Sequence, residues 1–169
     1  MIRAVVDAAR LACWPPDGYR ILLPHLQART WPIVRGVAWA HRRLLLGRTR
    51  VIAVVGSVGK TTTKRALDAA LGARVARHSK SNHGAGLAMN LLRTRPRHAA
   101  TVLEVGIDRP GQMARFARLV APDVVVVTAI ASDHRRSFHA LEATREEKAH
   151  MVRALSPDDP CAVPSASAC

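Results

Sequence analysis

Apolar residues recur at helical spacing over residues 2–13, and Trp14-Pro15-Pro16-Asp17-Gly18 stops that helix. Residues 19–28 predict a second short helix. Thr30 is placed to cap a third, with Pro32 in its first turn, Ile33, Val37, Ala40 and Leu44 on one face, and Gly47 at its end. After Arg50 the pattern changes: short β-branched runs at 51–55, 101–105 and 124–128 alternate with helical stretches at 60–71, 111–120 and 141–155. A strand such as Val124-Val125-Val126-Val127-Thr128, apolar without alternation, belongs in a parallel sheet covered by helices on both faces. The expectation is an α/β fold, a parallel sheet flanked by helices and preceded by a short helical segment, with ligands at the carboxyl ends of the strands. Three regions follow: a basic amphipathic helical segment at 1–49, the α/β part at 50–155, and an irregular tail at 156–169 rich in Pro, Ala, Ser and Cys.

With 169 residues, 49% of them apolar, the chain is long enough for one core and too short for two, which excludes disorder throughout. No stretch reaches the roughly 18 uncharged apolar residues of a spanning helix. The formal charge of +14 comes from 26 basic residues, of which 22 are Arg. It is densest in the first fifty residues, where nine Arg face only Asp7 and Asp17. Trp31 and Trp39 stand there beside Arg29, Arg35, Arg42 and Arg43, the mixture of helices that lie on anionic membrane surfaces. Peripheral contact with an anionic membrane is one reading of that segment, and a helical hairpin packed on the next domain is the other. No zinc spacing and no aromatic-studded strand motif points to a specific nucleic acid. Cys13, Cys161 and Cys169 form no C-x-x-C pair, and Asp7 and Arg10 interrupt any export signal. The expected location is the cytoplasm, with peripheral contact at the inner membrane face.

The densest chemistry begins at the end of the first predicted strand. Gly56-Ser57-Val58-Gly59-Lys60-Thr61-Thr62 is a glycine-bearing turn that leads into a helix. Gly56 and Gly59 let backbone amides converge on phosphate oxygens, Lys60 supplies a compact cation, the helix dipole adds to it, and the Thr61 hydroxyl suits Mg²⁺. The usual spacing puts a glycine at position 54, where Val54 stands, so this is a shortened phosphate loop. Glu104 closes a later strand, where a carboxylate is placed for a hard cation that also touches a terminal phosphate.

The loop resembles that of the ATP-dependent Mur ligases, and further motifs agree in order. Residues 79–92, with Asn82 and Gly86, resemble the family's asparagine-rich loop and following helix, most closely in the MurF branch. His83 stands where a second asparagine is usual and Ala88 where a proline is usual. Leu103-Glu104-Val105-Gly106 with Arg109-Pro110-Gly111-Gln112-Met113 resembles the family's strand-end glutamate and Pro-Gly turn, and Asp133-His134 its histidine loop. Lys148 follows His134 at the interval of the family's carbamylated lysine.

The resemblance implies an ATP-dependent carboxylate–amine ligase of cell-wall (peptidoglycan) precursor synthesis, working through an acyl phosphate, with ATP and Mg²⁺ as cofactors. The expected partners are a carboxylate and an amino acid or dipeptide: a UDP-muramoyl-peptide and D-alanyl-D-alanine in the MurF branch. It implies nucleotide contacts at Gly56, Ser57, Val58, Gly59, Lys60, Thr61, Thr62 and Asn82. Metal contacts fall to Thr61, Glu104, His134 and Lys148, and catalytic roles to Lys60, His134 and Lys148. It covers residues 50–155, the amino-terminal part of the family's central ATP-binding domain. The family's UDP-sugar domain is not recognisable ahead of it, nor its carboxyl-terminal domain behind, so the chain reads as a truncated ligase with impaired activity alone. A non-catalytic ATP-binding module and a relative of the poly-γ-glutamate or folate-polyglutamate ligases stay open as alternatives.

Overall fold

A computed structural model describes residues 22–76, 78, 84–131 and 141–163, with backbone alone for 22–29. Its helices are α1 Leu22–Leu44, α2 Lys60–Leu71, α3 Gly84–Arg93, α4 Gln112–Val120 and α5 Leu141–Val152. Its strands are β1 Arg50–Val55, β2 Val75–Ala76, β3 Ala100–Glu104, β4 Val124–Val127 and β5 Cys161–Ala162. They form one sheet in the order β2-β3-β1-β4-β5, parallel at every pairing. Parallel neighbours need crossover connections, and helices supply them here, which is why strand and helix alternate along the chain.

The continuous run Val51–Val55 explains the central place of β1. Every residue of it is buried, and β1 lies between β3, with Arg50 opposite Ala100, and β4, with Ile52 opposite Val124. Leu87 and Leu91 of α3, Met113 and Val120 of α4 and Met151 of α5 are fully buried. Each such side chain is worth about 1.5–3 kcal/mol relative to exposure. Gly56, Gly59 and Glu104 thereby come to the carboxyl ends of adjacent strands, and the turns at 45–49 and 94–99 to the amino ends.

The chain divides into two compact units, Met1–Val34 and Arg35–Cys169, with the boundary inside α1. Two expectations for α1 are corrected. Residues 22–44 form one helix with Pro32 inside it, where separate helices on either side of Thr30 were expected. A proline removes one intrahelical hydrogen bond, and a helix of 23 residues can continue through it. The stripe of Ile33, Val37 and Leu44 is exposed rather than packed, while Ala38 and Arg42 are buried.

Arg42, expected on a basic surface, is instead a structural clamp. Its guanidinium donates to the carbonyls of Val120 and Ala121 at 3.1 Å, to Ala121 again at 2.7 Å, and to Leu46 O at 3.2 Å. It also pairs with Asp123 Oδ1 at 2.8 Å, and Asp123 Oδ2 accepts from Val51 N at 2.7 Å. A buried guanidinium is tolerated when its donors are spent in this way. Two strands escaped the sequence pattern. Val75–Ala76 and Cys161–Ala162, the latter inside the stretch read as an irregular tail, pair in parallel with β3 and β4. Two residues are too few to display a period. Among the described residues no helix is long and apolar enough to cross a membrane.

Candidate functional site

The site starts where β1 ends. Gly56 has φ +149° and Gly59 φ +87°, conformations that L side chains rarely adopt. A Cβ on Gly56 would lie 1.9 Å from Thr128 Oγ1, so the loop passes against β4 with no room for a side chain. Ser57 N and Val58 N donate to Ala129 O at 2.8 and 3.3 Å, which pins the loop to the segment after β4. Gly59 then caps α2, and Thr63 N closes its first turn on Gly59 O at 2.9 Å.

Three expected groups converge on this loop. Lys60 Nζ lies over it and donates to Gly56 O at 3.0 Å and Ser57 O at 2.8 Å. Thr61 Oγ1 donates to Glu104 Oε2 at 2.8 Å, which brings the first turn of α2 to the end of β3. Lys148, expected on a helix, is 4% exposed and donates from Nζ to Ser57 Oγ at 2.7 Å. Ser57 Oγ in turn donates to Ala131 O at 2.7 Å, so its hydroxyl joins α5, the loop and the segment after β4. Of the remaining loop residues, Val58 and Thr62 are exposed. Asn82 and His134 lie outside the described residues.

Thr61 and Glu104 fit magnesium. Both present oxygen, the donor that a small hard cation takes, on the side of the loop where a phosphate would supply more oxygens. Two protein donors suffice, because Mg²⁺ keeps several water and phosphate ligands. The ion would supply positive charge against the terminal phosphates.

Two residues held by other elements were missed in the sequence, one beside the site and one away from it. Glu147, beside Lys148 in an acidic helix stretch, looks like a solvated surface residue. Its buried carboxylate instead accepts from Gly111 N and Met113 N, each at 2.9 Å, and caps α4. Gln112 holds the same turn, accepting at Oε1 from Asp108 N at 2.7 Å and Arg109 N at 3.1 Å. Adjacent residues of α5 therefore fix two loops, the phosphate loop through Lys148 and the Pro-Gly turn through Glu147. His78 is the second. Its Nε2 lies 2.7 Å from Thr101 Oγ1 and 3.1 Å from Thr94 Oγ1. Burial and then the charge of Lys64 lower its pKa to about 4. A lone histidine carries no sequence signal for such an environment.

A parallel sheet with helical crossovers, a glycine-bearing loop from strand to helix and a strand-end carboxylate on the following threonine define a phosphate-loop α/β protein. Comparison narrows this class: the Mur ligase middle domain matches residues 54–167, more than half of the chain. The chain belongs to the Mur ligase family. A Bacillus subtilis relative, UDP-N-acetylmuramoyl-tripeptide–D-alanyl-D-alanine ligase, is 31% identical over 147 residues, which are 85% of this chain and 31% of the relative. The enzyme of the same name from Escherichia coli is 28% identical over 138 residues, 79% of this chain and 30% of the relative. MurF from Acinetobacter baumannii superposes with a TM-score of 0.71 at 27% identity, covering 78% of this chain and 30% of that one. MurF from Thermotoga maritima, solved in complex with ADP, gives 0.70 at 25% identity, with 78% and 31% covered. The chain thus spans about a third of the length of the relatives it matches.

Proposed function

We propose that this chain is the nucleotide-binding part of an ATP-dependent carboxylate–amine ligase of peptidoglycan precursor synthesis, of the MurF kind. The observation that carries the proposal is the hydrogen bond from Thr61 to Glu104 beside Lys60, which unites loop, cation and metal donors at one strand end. In this reading ATP transfers its γ-phosphoryl to the substrate carboxylate. The amine of the second substrate attacks the acyl phosphate, loses a proton and displaces phosphate, leaving an amide and ADP. Lys60 and the loop amides hold the phosphates, and Thr61 and Glu104 hold Mg²⁺, which neutralises their charge. Asn82 and His134 are assigned to the nucleotide and to metal or phosphate from the family motifs. Lys148 is assigned a carbamate that helps to hold a second metal ion. The relatives' names support a UDP-muramoyl-tripeptide as the carboxylate and D-alanyl-D-alanine as the amine.

A cytoplasmic site of action with peripheral contact at the inner membrane face belongs to the same proposal. Because the chain spans about a third of its relatives, it is expected to bind nucleotide weakly and to form no amide alone. Calorimetry with Mg²⁺–ATP tests the nucleotide site. Submillimolar binding that Lys60→Ala abolishes and EDTA weakens is the expected result. Binding unchanged in Lys60→Ala, or none at millimolar nucleotide, overturns the assignment.

A further inference from the structure

The amino-terminal ends of the strands, opposite the phosphate loop, carry a cluster of arginines. A chain of hydrogen bonds draws the segments that hold it together. Arg50 N donates to Ala99 O at 3.0 Å, Ala99 N to Arg74 O at 2.9 Å, and Thr49 Oγ1 to His98 O at 3.0 Å. Arg95 N donates to His98 Nδ1 at 3.0 Å, and His41 Nε2 lies 2.9 Å from Thr94 O, which joins the end of α1 to the same turn. Arg48, Arg50, Arg74, Arg95 and Arg97 are all exposed, and among the described residues none pairs with a carboxylate.

The acids at this end do not neutralise the cluster. Asp123 is spent on Arg42 and Val51 N, and Asp68 on Lys64. Asp158 and Asp159 precede β5, two strands from β1, and Asp159 is turned onto Ser156 N at 3.0 Å. His98 registers the local field: burial, then the charges of Arg97 and Arg95, lower its pKa.

Charge alone would suit any polyanion. The feature that selects among polyanions is apolar: Leu44 and Leu45, 79% and 55% exposed, follow Arg43 and precede Arg48 at the same edge. Exposed leucines among arginines match an interface with headgroup phosphates outside and acyl chains beneath. A nucleic acid backbone offers the leucines nothing to enter.

We infer that this arginine rim, with Leu44 and Leu45, is a docking surface for an anionic lipid bilayer. The inference deepens the peripheral contact proposed above, moving it from residues 1–49 as a whole to the rim, and does not depend on the ligase assignment. Docking by this edge leaves the phosphate loop, the length of β1 away or roughly 17 Å, facing the aqueous side.

The test is cosedimentation of the full chain with phosphatidylcholine vesicles containing 30 mol% phosphatidylglycerol, against pure phosphatidylcholine, at 0.1 and 0.5 M NaCl. Binding is expected to the anionic vesicles only and to weaken steeply with salt. Arg95→Gln with Arg97→Gln should weaken it about 25-fold, roughly fivefold for each arginine. Leu44→Ser with Leu45→Ser should weaken it by about tenfold or more. Circular dichroism and ATP calorimetry on the same samples should be unchanged, which separates failure here from failure of the nucleotide site. Equal binding to neutral vesicles overturns the inference. So does anionic-vesicle binding unaffected by the arginine pair, which would put the contact elsewhere on the chain, or a preference for duplex RNA to which the leucine pair is indifferent.

Discussion

Replacing Glu147 tests how firmly α5 holds the loops of the site. Its carboxylate is buried and accepts two backbone N–H bonds at 2.9 Å from the first turn of α4. Charge-assisted hydrogen bonds contribute about 1.5–3 kcal/mol each, and an anion at a helix amino terminus about 0.3–1 kcal/mol more. Glu147→Ala removes both acceptors and leaves two amides facing an apolar gap, for an expected loss of about 3–7 kcal/mol. Against a total of about 5–15 kcal/mol for a domain, that is enough to populate the unfolded state. Glu147→Gln keeps one oxygen and turns an NH₂ towards the second amide, so about half the loss is expected. Urea unfolding at pH 7, followed by circular dichroism and fitted with a common m-value, gives both numbers. An alanine variant within 1 kcal/mol of wild type would refute the capping role, as would a glutamine variant no better than alanine.

Other consequences are equally measurable. His78 binds its proton only near pH 4 when folded and near 6.5 when unfolded, so between those values the unfolded chain holds more protons. Stability contributed by neutral His78 is complete above pH 6.5 and is lost as pH falls through 4, by about 3 kcal/mol. His78→Gln should flatten that part of the pH profile in urea titrations, and an identical slope would contradict it. Gly56→Ala drives a Cβ to 1.9 Å from Thr128 Oγ1 and strains the backbone, so nucleotide binding should vanish and stability fall by about 2 kcal/mol or more. Thr128→Ala in addition should restore only part of it. Thr61→Val removes the hydroxyl that meets Glu104, and ATP affinity in Mg²⁺ should drop towards its value in EDTA. A Mg²⁺ dependence equal to wild type would count against Thr61 as a ligand.

How much of the fold and site is legible in the sequence depends on whether a signal is local. The phosphate loop could be read because glycines, lysine and threonine sit within seven residues, between a β-branched run and a helix. Glu104 could be read because it ends a strand whose apolar run is visible. Lys148 was singled out through family resemblance alone, and its burial against Ser57 depends on a pairing ninety-one positions apart. Glu147 and His78 were silent for the same reason, since what each touches comes from other elements. The face of α1 was misjudged because its apolar stripe obeys the helical period while the buried side is decided by Arg42, whose guanidinium finds the carbonyls of Val120, Ala121 and Leu46 and the Asp123 carboxylate. Periodicity counts apolar residues and takes no account of such polar satisfaction.

The placement of β1 at the centre of an all-parallel sheet also governs how the chain must fold during synthesis. Its partners arrive late: Arg50 meets Ala100, and Ile52 meets Val124. No hairpin can form first, because every neighbour in the sheet is parallel. At a synthesis rate of about 5–20 residues per second, the run Val51–Val55 waits several seconds outside the ribosome with both edges and both faces unpaired. Long-range closure of this kind is slow and leaves β-branched edges open to other chains. During that interval a segment buried in the finished protein stands open to chaperones and to other chains.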